Sequence, residues 1–275
     1  MSALHNKYRL LQDLLRSYGN VAIAYSGGVD SSLLSYVAHG ALGDNAVSLT
    51  ADAPVVPRSE LADSQAFCKR YGIRQVICHP NPIMMEEVRF NAPNRCYVCK
   101  KVLFSSLFEE AAKLGVETIA DGSNLDDLGD YRPGLKALEE LQVKSPLREA
   151  GFTKADIRAL SRELGLPTWS KQSNACLATR FPYGTEITAE KLSLVDKAES
   201  ALSGMGFTQL RVRVHNDIAR IEVPAEQIET LLRDENRTSI VDALKELGFA
   251  YVTLDLAGYR TGSMDEKLGT VPSNA

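Results

Sequence analysis

The sequence has no apolar run that approaches the roughly 20 residues needed for a membrane-spanning helix. It also lacks a basic excess, since 31 Lys and Arg stand against 35 Asp and Glu, giving a net charge of −4. A general nucleic-acid-binding surface would be basic, so this balance argues against that class of function. We expect neither a membrane nor a nucleic acid as a partner. A local basic pocket for a small phosphorylated substrate stays compatible with the composition.

The first residues lack the apolar core of a signal peptide and instead begin an amphipathic helix, which favours a cytoplasmic protein. The five cysteines are an odd number, and a reducing compartment does not favour a disulfide framework. Metal or redox chemistry is the better interpretation for some of them. Cys68 and Cys78 fall within a predicted helix and a predicted strand, where we expect them to belong to the core.

The most informative segment is Ser-Gly-Gly-Val-Asp-Ser at residues 26–31, which follows the apolar run at residues 21–25. That run predicts a buried parallel strand, and the two glycines allow a sharp turn close to a ligand. Apolar residues at helical spacing follow from Leu33 to Ala38. The pattern therefore predicts a loop that opens onto a helix N-terminus, where free N–H groups hold phosphate.

No lysine stands beside the second glycine, so this is not the nucleotide loop that ends in Gly-Lys-Ser/Thr. The alternative is an ordinary glycine-rich turn between a strand and a helix. The full hexapeptide in this setting favours nucleotide binding, and it resembles the pyrophosphate loop (PP-loop) of the ATP pyrophosphatases. The predicted nucleotide-binding residues, with Asp30 also orienting Mg²⁺ or a backbone amide, are Ser26, Gly27, Gly28, Asp30 and Ser31.

Short apolar strands alternate with helices through the first part of the chain, which predicts an α/β fold with a doubly wound parallel sheet. Ligands of such sheets lie at the carboxyl ends of the strands, where we expect the loop at Ser26, the segment after Thr50 and the turn at Asp121 and Gly122 to gather. The composition changes near residues 181–185. We expect a PP-loop domain at residues 1–184 and a smaller α+β domain at residues 185–275.

Cys96 and Cys99 are separated by two residues, a spacing at which both sulfurs reach one metal or one cluster edge. We expect the pair to precede a helix over residues 101–114. Cys176 would be a third thiolate, and three cysteines leave one iron of an iron–sulfur cluster open. The alternatives are a redox dithiol, half of a zinc site, or for Cys176 a buried residue or a lone nucleophile.

Beside the PP-loop, the chain carries distinctive strings at residues 121–124, 130–135, 176–184 and 211–222. Together they resemble the LarE family of ATP-dependent sulfur transferases, and the resemblance covers the chain from about Leu10 to Gly262. The most distinctive are residues 176–184 (CLATRFPYG) and 211–222 (RVRVHNDIARIE). The PP-loop, residues 121–124 (DGSN) and residues 130–135 (DYRPGL) agree with them. The family contributes to synthesis of a nickel-pincer nucleotide cofactor, so the resemblance implies an enzyme.

The resemblance implies that ATP adenylylates a carboxylate of pyridinium-3,5-biscarboxylic acid mononucleotide, after which sulfur displaces AMP to give a thiocarboxylate. In one branch of the family the enzyme sacrifices the sulfur of its own cysteine, which matches Cys176 here. In the other branch three cysteines hold a [4Fe-4S] cluster that carries an extra sulfide. The presence of Cys96, Cys99 and Cys176 together implies the cluster-dependent form, with ATP, Mg²⁺ and the cluster as cofactors.

The resemblance also implies roles for charged residues. Lys101 is expected to neutralise charge on the adenylate, with a solvated surface lysine as the alternative, and Asp130 and Arg132 are expected to close over the site. Arginine forks suit the phosphate and carboxylates of the substrate, whereas a solvated sheet face with ion pairs to Glu222 is the alternative. The candidate substrate-binding residues are Arg180, Arg211, Arg213 and Arg260.

Three other classes of protein share part of this pattern. A PP-loop tRNA thiolase also combines the loop with cysteines, but it needs an RNA-binding surface. Amide-forming PP-loop enzymes leave the cysteines unexplained, and an ATP- or cluster-binding regulator would not release pyrophosphate when substrate is added. We expect a small-molecule nucleotide substrate and a homo-oligomer, and the sequence does not identify the sulfide donor.

Overall fold

The computed structural model describes residues 2–129, 133–172 and 174–260. The chain forms two compact units, the first from residues 1–85 and 94–174, the second from residues 86–93 and those from 175 onward. Within the described ranges no helix is both long and apolar enough to cross a membrane. The expected domain boundary at residue 184 stays a prediction.

The strands are β1 (Val21–Ala24), β2 (Ala46–Ala51), β3 (Gln75–Cys78), β4 (Ile119–Ala120), β5 (Arg211–His215), β6 (Ile218–Glu222) and β7 (Tyr251–Leu254). The α-helices are α1 (Ala3–Tyr18), α2 (Val29–Leu42), α3 (Arg58–Tyr71), α4 (Glu86–Arg89), α5 (Arg95–Lys113), α6 (Pro133–Glu140), α7 (Pro146–Glu149), α8 (Lys154–Glu163), α9 (Ala189–Gly204), α10 (Ala225–Leu232) and α11 (Asp234–Glu246).

The first unit is built on a parallel sheet with the strand order β3-β2-β1-β4. Successive residues of β1 face opposite sides, so Val21 and Ile23 pack in one hydrophobic cluster while Ala22 packs in another. The first cluster holds buried residues of α1, α2 and α8, and the second holds those of α5 and α6. Helices thus cover both faces of the sheet, which confirms the predicted α/β class.

The helix after the cysteine pair is longer than the sequence predicts. It begins at Arg95 rather than Lys101, because the N–H groups of Tyr97 and Val98 donate to the carbonyl of Asn94 and start the helix there. Cys96 and Cys99 therefore lie inside the first turns of α5 and do not precede it.

The second unit contains a three-stranded sheet of order β5-β6-β7, in which β5 and β6 are antiparallel and β6 and β7 are parallel. The antiparallel strands β5 and β6 form a hairpin. α11 begins at Asp234, and its first turn carries Asp234 and Glu235, whose charges suit a helix N-terminus. This unit is the smaller α+β part expected from the sequence.

Candidate functional site

The glycine-rich loop adopts a conformation that requires glycine at its first position. Gly27 has φ +78°, and a Cβ there would lie 3.2 Å from the carbonyl oxygen of Glu60 and 3.3 Å from Ser64 Cβ. A side chain at this position would strain the backbone and crowd α3. The loop therefore passes directly against α3 before it enters α2.

Two serines hold the loop in place. Ser31 Oγ accepts a hydrogen bond from the Ser26 N–H (3.3 Å), donates to the Gly28 carbonyl (3.3 Å) and lies 3.1 Å from Ser26 Oγ. The first N–H groups of a helix have no partner within the helix, and α2 begins at Val29, directly after the glycines of this turn. The arrangement provides a preformed cradle for an anion at the N-terminus of a 14-residue helix.

Asp30, in the first turn of α2, has two differently placed oxygens. Lys154 Nζ donates to Asp30 Oδ2 over 2.5 Å, and Lys154 is the first residue of α8. Asp30 Oδ1 is buried and has no hydrogen-bond partner within the described ranges. A buried carboxylate oxygen of this kind fits a hard cation such as Mg²⁺, which binds oxygen ligands.

The turn after β4 lies against the same helix start. A Cβ on Gly122 would be 3.0 Å from the Ser31 nitrogen and 3.2 Å from Asp30 Cβ, so only a glycine fits without displacement. The carboxylate of Asp121 is buried and accepts hydrogen bonds from Ser123 (2.5 Å) and Ser145 (2.8 Å). The structure thus confirms that the turn at Asp121 and Gly122 gathers beside the PP-loop.

Sequence reasoning missed two lysines near the loop. Lys154 follows Thr153, the N-cap of α8, and helix N-termini in α/β sheets lie near the ligand-binding edge, which was the available signal. Lys171 Nζ lies 2.8 Å from both Glu60 Oε2 and Asp63 Oδ2, beside the segment of α3 that Gly27 contacts. Burial alone would lower the pKa of Lys171, but the two carboxylates outweigh it and raise that pKa.

The cysteine pair occupies an exposed helix start in the first unit. Cys96 is exposed and Cys99 is half-buried, two residues that are three apart on α5. Lys101, on the next turn, pairs with Glu140 of α6 over 2.6 Å and lies 5.0 Å from the Tyr97 ring centre. The hydrogen bond to Glu140 is the main reason that the pKa of Lys101 is raised. Lys101 is therefore a positive charge beside the pair, and its role toward the adenylate stays a prediction.

Cys176 lies in the second unit, on a tightly bonded turn, and is half-buried. Its carbonyl accepts hydrogen bonds from the Thr179 hydroxyl (2.8 Å) and from Arg180 Nη1 (3.1 Å). The Arg180 side chain is fully buried and makes a two-point ion pair with Glu199. The backbone of Cys176 is thus fixed from within its own unit.

The predicted arginines of β5 share one face, as their spacing indicates. Arg213 pairs with Glu222 over 2.8 Å, so the ion pair of the alternative interpretation forms, although both arginines are buried rather than solvated. Arg211 lies 5.2 Å from the Tyr259 ring centre, and burial, followed by the charge of Arg180, lowers the pKa of Arg211. Arg260 is exposed.

The structure gives no further support to some sequence expectations. Asp130 and Arg132 lie outside the described residues. Among residues 2–129, 133–172 and 174–260, no three His, Cys, Asp or Glu side chains form a group that could hold a metal ion. Cys96 and Cys99 belong to the first unit and Cys176 to the second, so the proposed three-cysteine set draws on both units.

No protein-family profile matches the chain, but several proteins are similar to it over much or nearly all of its length. It is 43% identical over 265 residues to an uncharacterised protein of Synechocystis sp., covering 96% of this chain and 99% of that protein. It is 31% identical over 208 residues to a chain of the glutamine-hydrolysing GMP synthase of Thermoplasma acidophilum, covering 67% of this chain and 66% of the relative.

A third relative is an enzyme whose name states its product. The chain is 38% identical over 269 residues to the pyridinium-3,5-bisthiocarboxylic acid mononucleotide synthase of Lactiplantibacillus plantarum, covering 98% of this chain and 97% of that enzyme. An identity of this size over almost the whole of both chains establishes common ancestry and confirms the resemblance seen in the sequence. The protein is therefore an enzyme and belongs to the LarE family.

Proposed function

We propose that this chain is an ATP-dependent sulfur transferase that converts both carboxylates of pyridinium-3,5-biscarboxylic acid mononucleotide to thiocarboxylates. Its likeness to the synthase of L. plantarum, combined with a PP-loop cradle at the start of α2, carries the proposal. The product then serves the synthesis of a nickel-pincer nucleotide cofactor. We infer that the substrate is this small nucleotide and that the active protein is a homo-oligomer.

The first half of the reaction belongs to the PP-loop. We propose that Ser26, Gly27, Gly28 and Ser31 hold the phosphates of ATP, and that Asp30 Oδ1 faces Mg²⁺. Asp121 and Gly122 border the nucleotide, and Lys154 supplies the positive charge that the loop itself lacks. The triphosphate is strongly anionic, so a lysine and a helix N-terminus at one point favour its binding.

In the proposed reaction, adenylylation turns a carboxylate oxygen of the substrate into part of a good leaving group, AMP. A substrate carboxylate oxygen attacks the α-phosphorus of ATP, the bond to the bridging oxygen breaks, and pyrophosphate leaves. A sulfur nucleophile then attacks the carbonyl carbon of the acyl adenylate, and AMP leaves with the electron pair of the C–O bond. We propose that Lys101 stabilises the adenylate and that Arg211, Arg213 and Arg260 bind the phosphate and carboxylates of the substrate.

The transferred sulfur needs a donor on the protein. We propose that Cys96, Cys99 and Cys176 hold a [4Fe-4S] cluster, since thiolates are the ligands of such clusters. The cluster, when bound, supplies a soft sulfide nucleophile at an open iron. In support, the two thiols of α5 stand three residues apart in its first turns. The third thiol is held by the bonded turn of the second unit.

A second candidate source is the sulfur of Cys176 itself. Its thiolate would attack the acyl adenylate, AMP would leave, and a thioester would form. Loss of the Cα proton would then push electrons into the Cα–Cβ bond and break the Cβ–S bond, which leaves dehydroalanine on the protein and a thiocarboxylate on the product. The fixed, half-buried position of Cys176 is the observation that favours this candidate.

Anaerobic purification with iron and sulfide analysis separates the two sources. We expect near-stoichiometric iron and several turnovers, both lost in a Cys96→Ala variant. A matched Cys68→Ala variant removes a buried thiol from the same unit and should keep its iron. A protein free of iron that transfers sulfur once, with the mass of H₂S lost at Cys176, would instead establish the sacrificial route. Thiolation of tRNA by the purified protein would establish the tRNA thiolase alternative and overturn the proposed substrate.

A further inference from the structure

We propose that Arg180 is a positioning residue that fixes Cys176 through the backbone, rather than a residue that contacts the substrate. The inference rests on the proposed function, because it concerns the sulfur-transfer half of that reaction. It also differs from the substrate-binding role that the sequence predicts for this arginine. The Arg180 side chain has 0% of its surface exposed, so it offers no face to a ligand.

The carboxylate of Glu199 anchors the Arg180 side chain. Glu199, on α9, receives Arg180 Nε and Nη2 on its two carboxylate oxygens, each at 2.9 Å. The same carboxylate accepts the N–H of Val212 on β5 over 2.9 Å. A planar guanidinium matched to a carboxylate at two points has its orientation fixed as well as its position. The arginine is thus tied to both a helix and a strand of the second unit.

The remaining guanidinium nitrogen, Nη1, holds the cysteine turn. Arg180 Nη1 donates to the carbonyls of Ala175 (2.8 Å) and Cys176 (3.1 Å) and to the Thr179 hydroxyl (2.9 Å). The N–H of Thr179 donates to the same Cys176 carbonyl over 3.1 Å, which closes the turn. The peptide groups on both sides of Cys176 are therefore held by one guanidinium.

A second arginine holds the far end of the turn. Arg213 Nη1 donates to the Thr179 carbonyl over 2.9 Å, while its Nη2 pairs with the buried Glu222. The proposed substrate-binding strand and the cysteine turn thus share a hydrogen-bonded framework. A shift of the turn would move the sulfur of Cys176 relative to whatever β5 binds. Rate losses of about 100-fold can follow from a misplacement of about 1 Å at a reacting atom.

The test uses Arg180→Gln and Arg180→Lys in the full-length protein. Lysine keeps the positive charge but lacks the planar guanidinium group, so it cannot donate hydrogen bonds to Glu199 and to the two carbonyls at the same time. The matched control is Arg158→Gln, since Arg158 holds the carbonyls of Trp169 and Lys171 in the first unit in the same manner. Two readouts are needed: amide hydrogen exchange across residues 175–181, and the separate rates of pyrophosphate release and sulfur transfer.

We expect both Arg180 variants to speed exchange in residues 175–181 and to lower the sulfur-transfer rate by about 100-fold. The KM for substrate in pyrophosphate release should stay within about twofold, because the acyl-adenylate step does not use Cys176. The Arg158→Gln control should alter exchange only near residues 169–171. If Arg180→Gln does not fold, Glu199→Gln supplies the same test, since it weakens the anchor but keeps the arginine.

A raised substrate KM with unchanged exchange at residues 175–181 would overturn the proposal and return Arg180 to substrate binding. Unchanged exchange and unchanged sulfur transfer would also overturn it. The exchange measurement needs neither ATP nor substrate. It therefore judges the positioning role even if the wild-type protein proves to catalyse a different reaction, which would be failure of the proposed function alone.

Discussion

Lys154 Nζ lies 2.5 Å from Asp30 Oδ2, although 124 residues separate the two in the sequence. The PP-loop has no lysine beside its glycines, yet the first residue of α8 brings one to the start of α2. The backbone N–H of Lys154 is itself held by Asp126 over 2.8 Å, which fixes the origin of the side chain. The ion pair between Lys154 and Asp30 therefore stands at the start of α2 because of the fold and not because of the motif.

Replacing this lysine tests its part in ATP use. We expect Lys154→Met to lower kcat/KM for ATP-dependent pyrophosphate release by roughly 10- to 100-fold, since a hydrogen bond to a charged group is worth about 1.5–3 kcal/mol. Steady-state kinetics with varied ATP measures the effect. The control is Lys7→Met, which breaks a pair of similar exposure between Lys7 on α1 and Asp156 on α8, the helix that begins at Lys154. Equal losses in both variants would contradict a specific role for Lys154.

Gly122 gives a test of the contact between the turn and α2. A Cβ at this position would lie 3.0 Å from the Ser31 nitrogen, so Gly122→Ala must displace the start of α2. We expect a loss of about 1–3 kcal/mol in the free energy of unfolding, together with weaker ATP binding. Chemical denaturation and ATP titration measure the two effects.

The matched control for this substitution is Gly40→Ala. Gly40 is also on α2, and a Cβ there would meet nothing within 4 Å. Alanine in an open helical position should stabilise the protein by roughly 0.5–1 kcal/mol. We thus expect Gly122→Ala to lower the free energy of unfolding and Gly40→Ala to raise it. A stabilising Gly122→Ala would refute the close approach.

The lowered pKa of Asp156 predicts that the free energy of unfolding falls at acid pH. Burial alone would raise its pKa, but hydrogen bonds from Lys7 and Thr153 outweigh this and hold the pKa below its ordinary value of 3.8. A carboxyl with a lowered folded-state pKa stabilises the protein above its unfolded-state pKa and loses that contribution as the pH falls.

The measurement compares the wild-type protein with Asp156→Asn. We expect the difference in free energy of unfolding to be constant at about pH 5–7 and to shrink below about pH 4. Urea unfolding at a series of pH values gives the difference directly. A difference that grows on acidification would mean that the carboxylate is not stabilised in the folded state.

The two core cysteines should resist alkylation. Burial raises the pKa of the Cys68 thiol to about 12 and that of Cys78 to about 11, and both side chains are buried. The thiolate is the reactive form, so at about pH 8 both should stay unmodified in the folded protein and react fully in guanidinium. Mass spectrometry of peptides after iodoacetamide treatment reads each site. Early labelling of Cys68 or Cys78 in the folded protein would show that the core opens locally.

Local patterns predicted much of the fold and the outline of the site. The apolar run before Ser26 and the helical spacing after Leu33 predicted β1, the loop and α2, because local sequence dictates strand, turn and helix there. The core positions of Cys68 and Cys78 followed from the elements that contain them. The predicted start of α5 was wrong by six residues, since a hydrogen bond to the Asn94 carbonyl and not apolar spacing sets where that helix begins.

The sequence by itself determined the family, the nucleotide loop and the set of cysteines and arginines, because each is a contiguous motif or a regular spacing. Only the tertiary structure decided which charges neutralise one another. It brings Lys154 to Asp30 and Arg180 to Glu199, it forms the pair of Arg213 with Glu222 that the sequence had left as an alternative, and it buries both arginines. These pairings join residues that are close in space but separated along the chain. Packing of the helices and strands, rather than any local pattern, sets which partners meet.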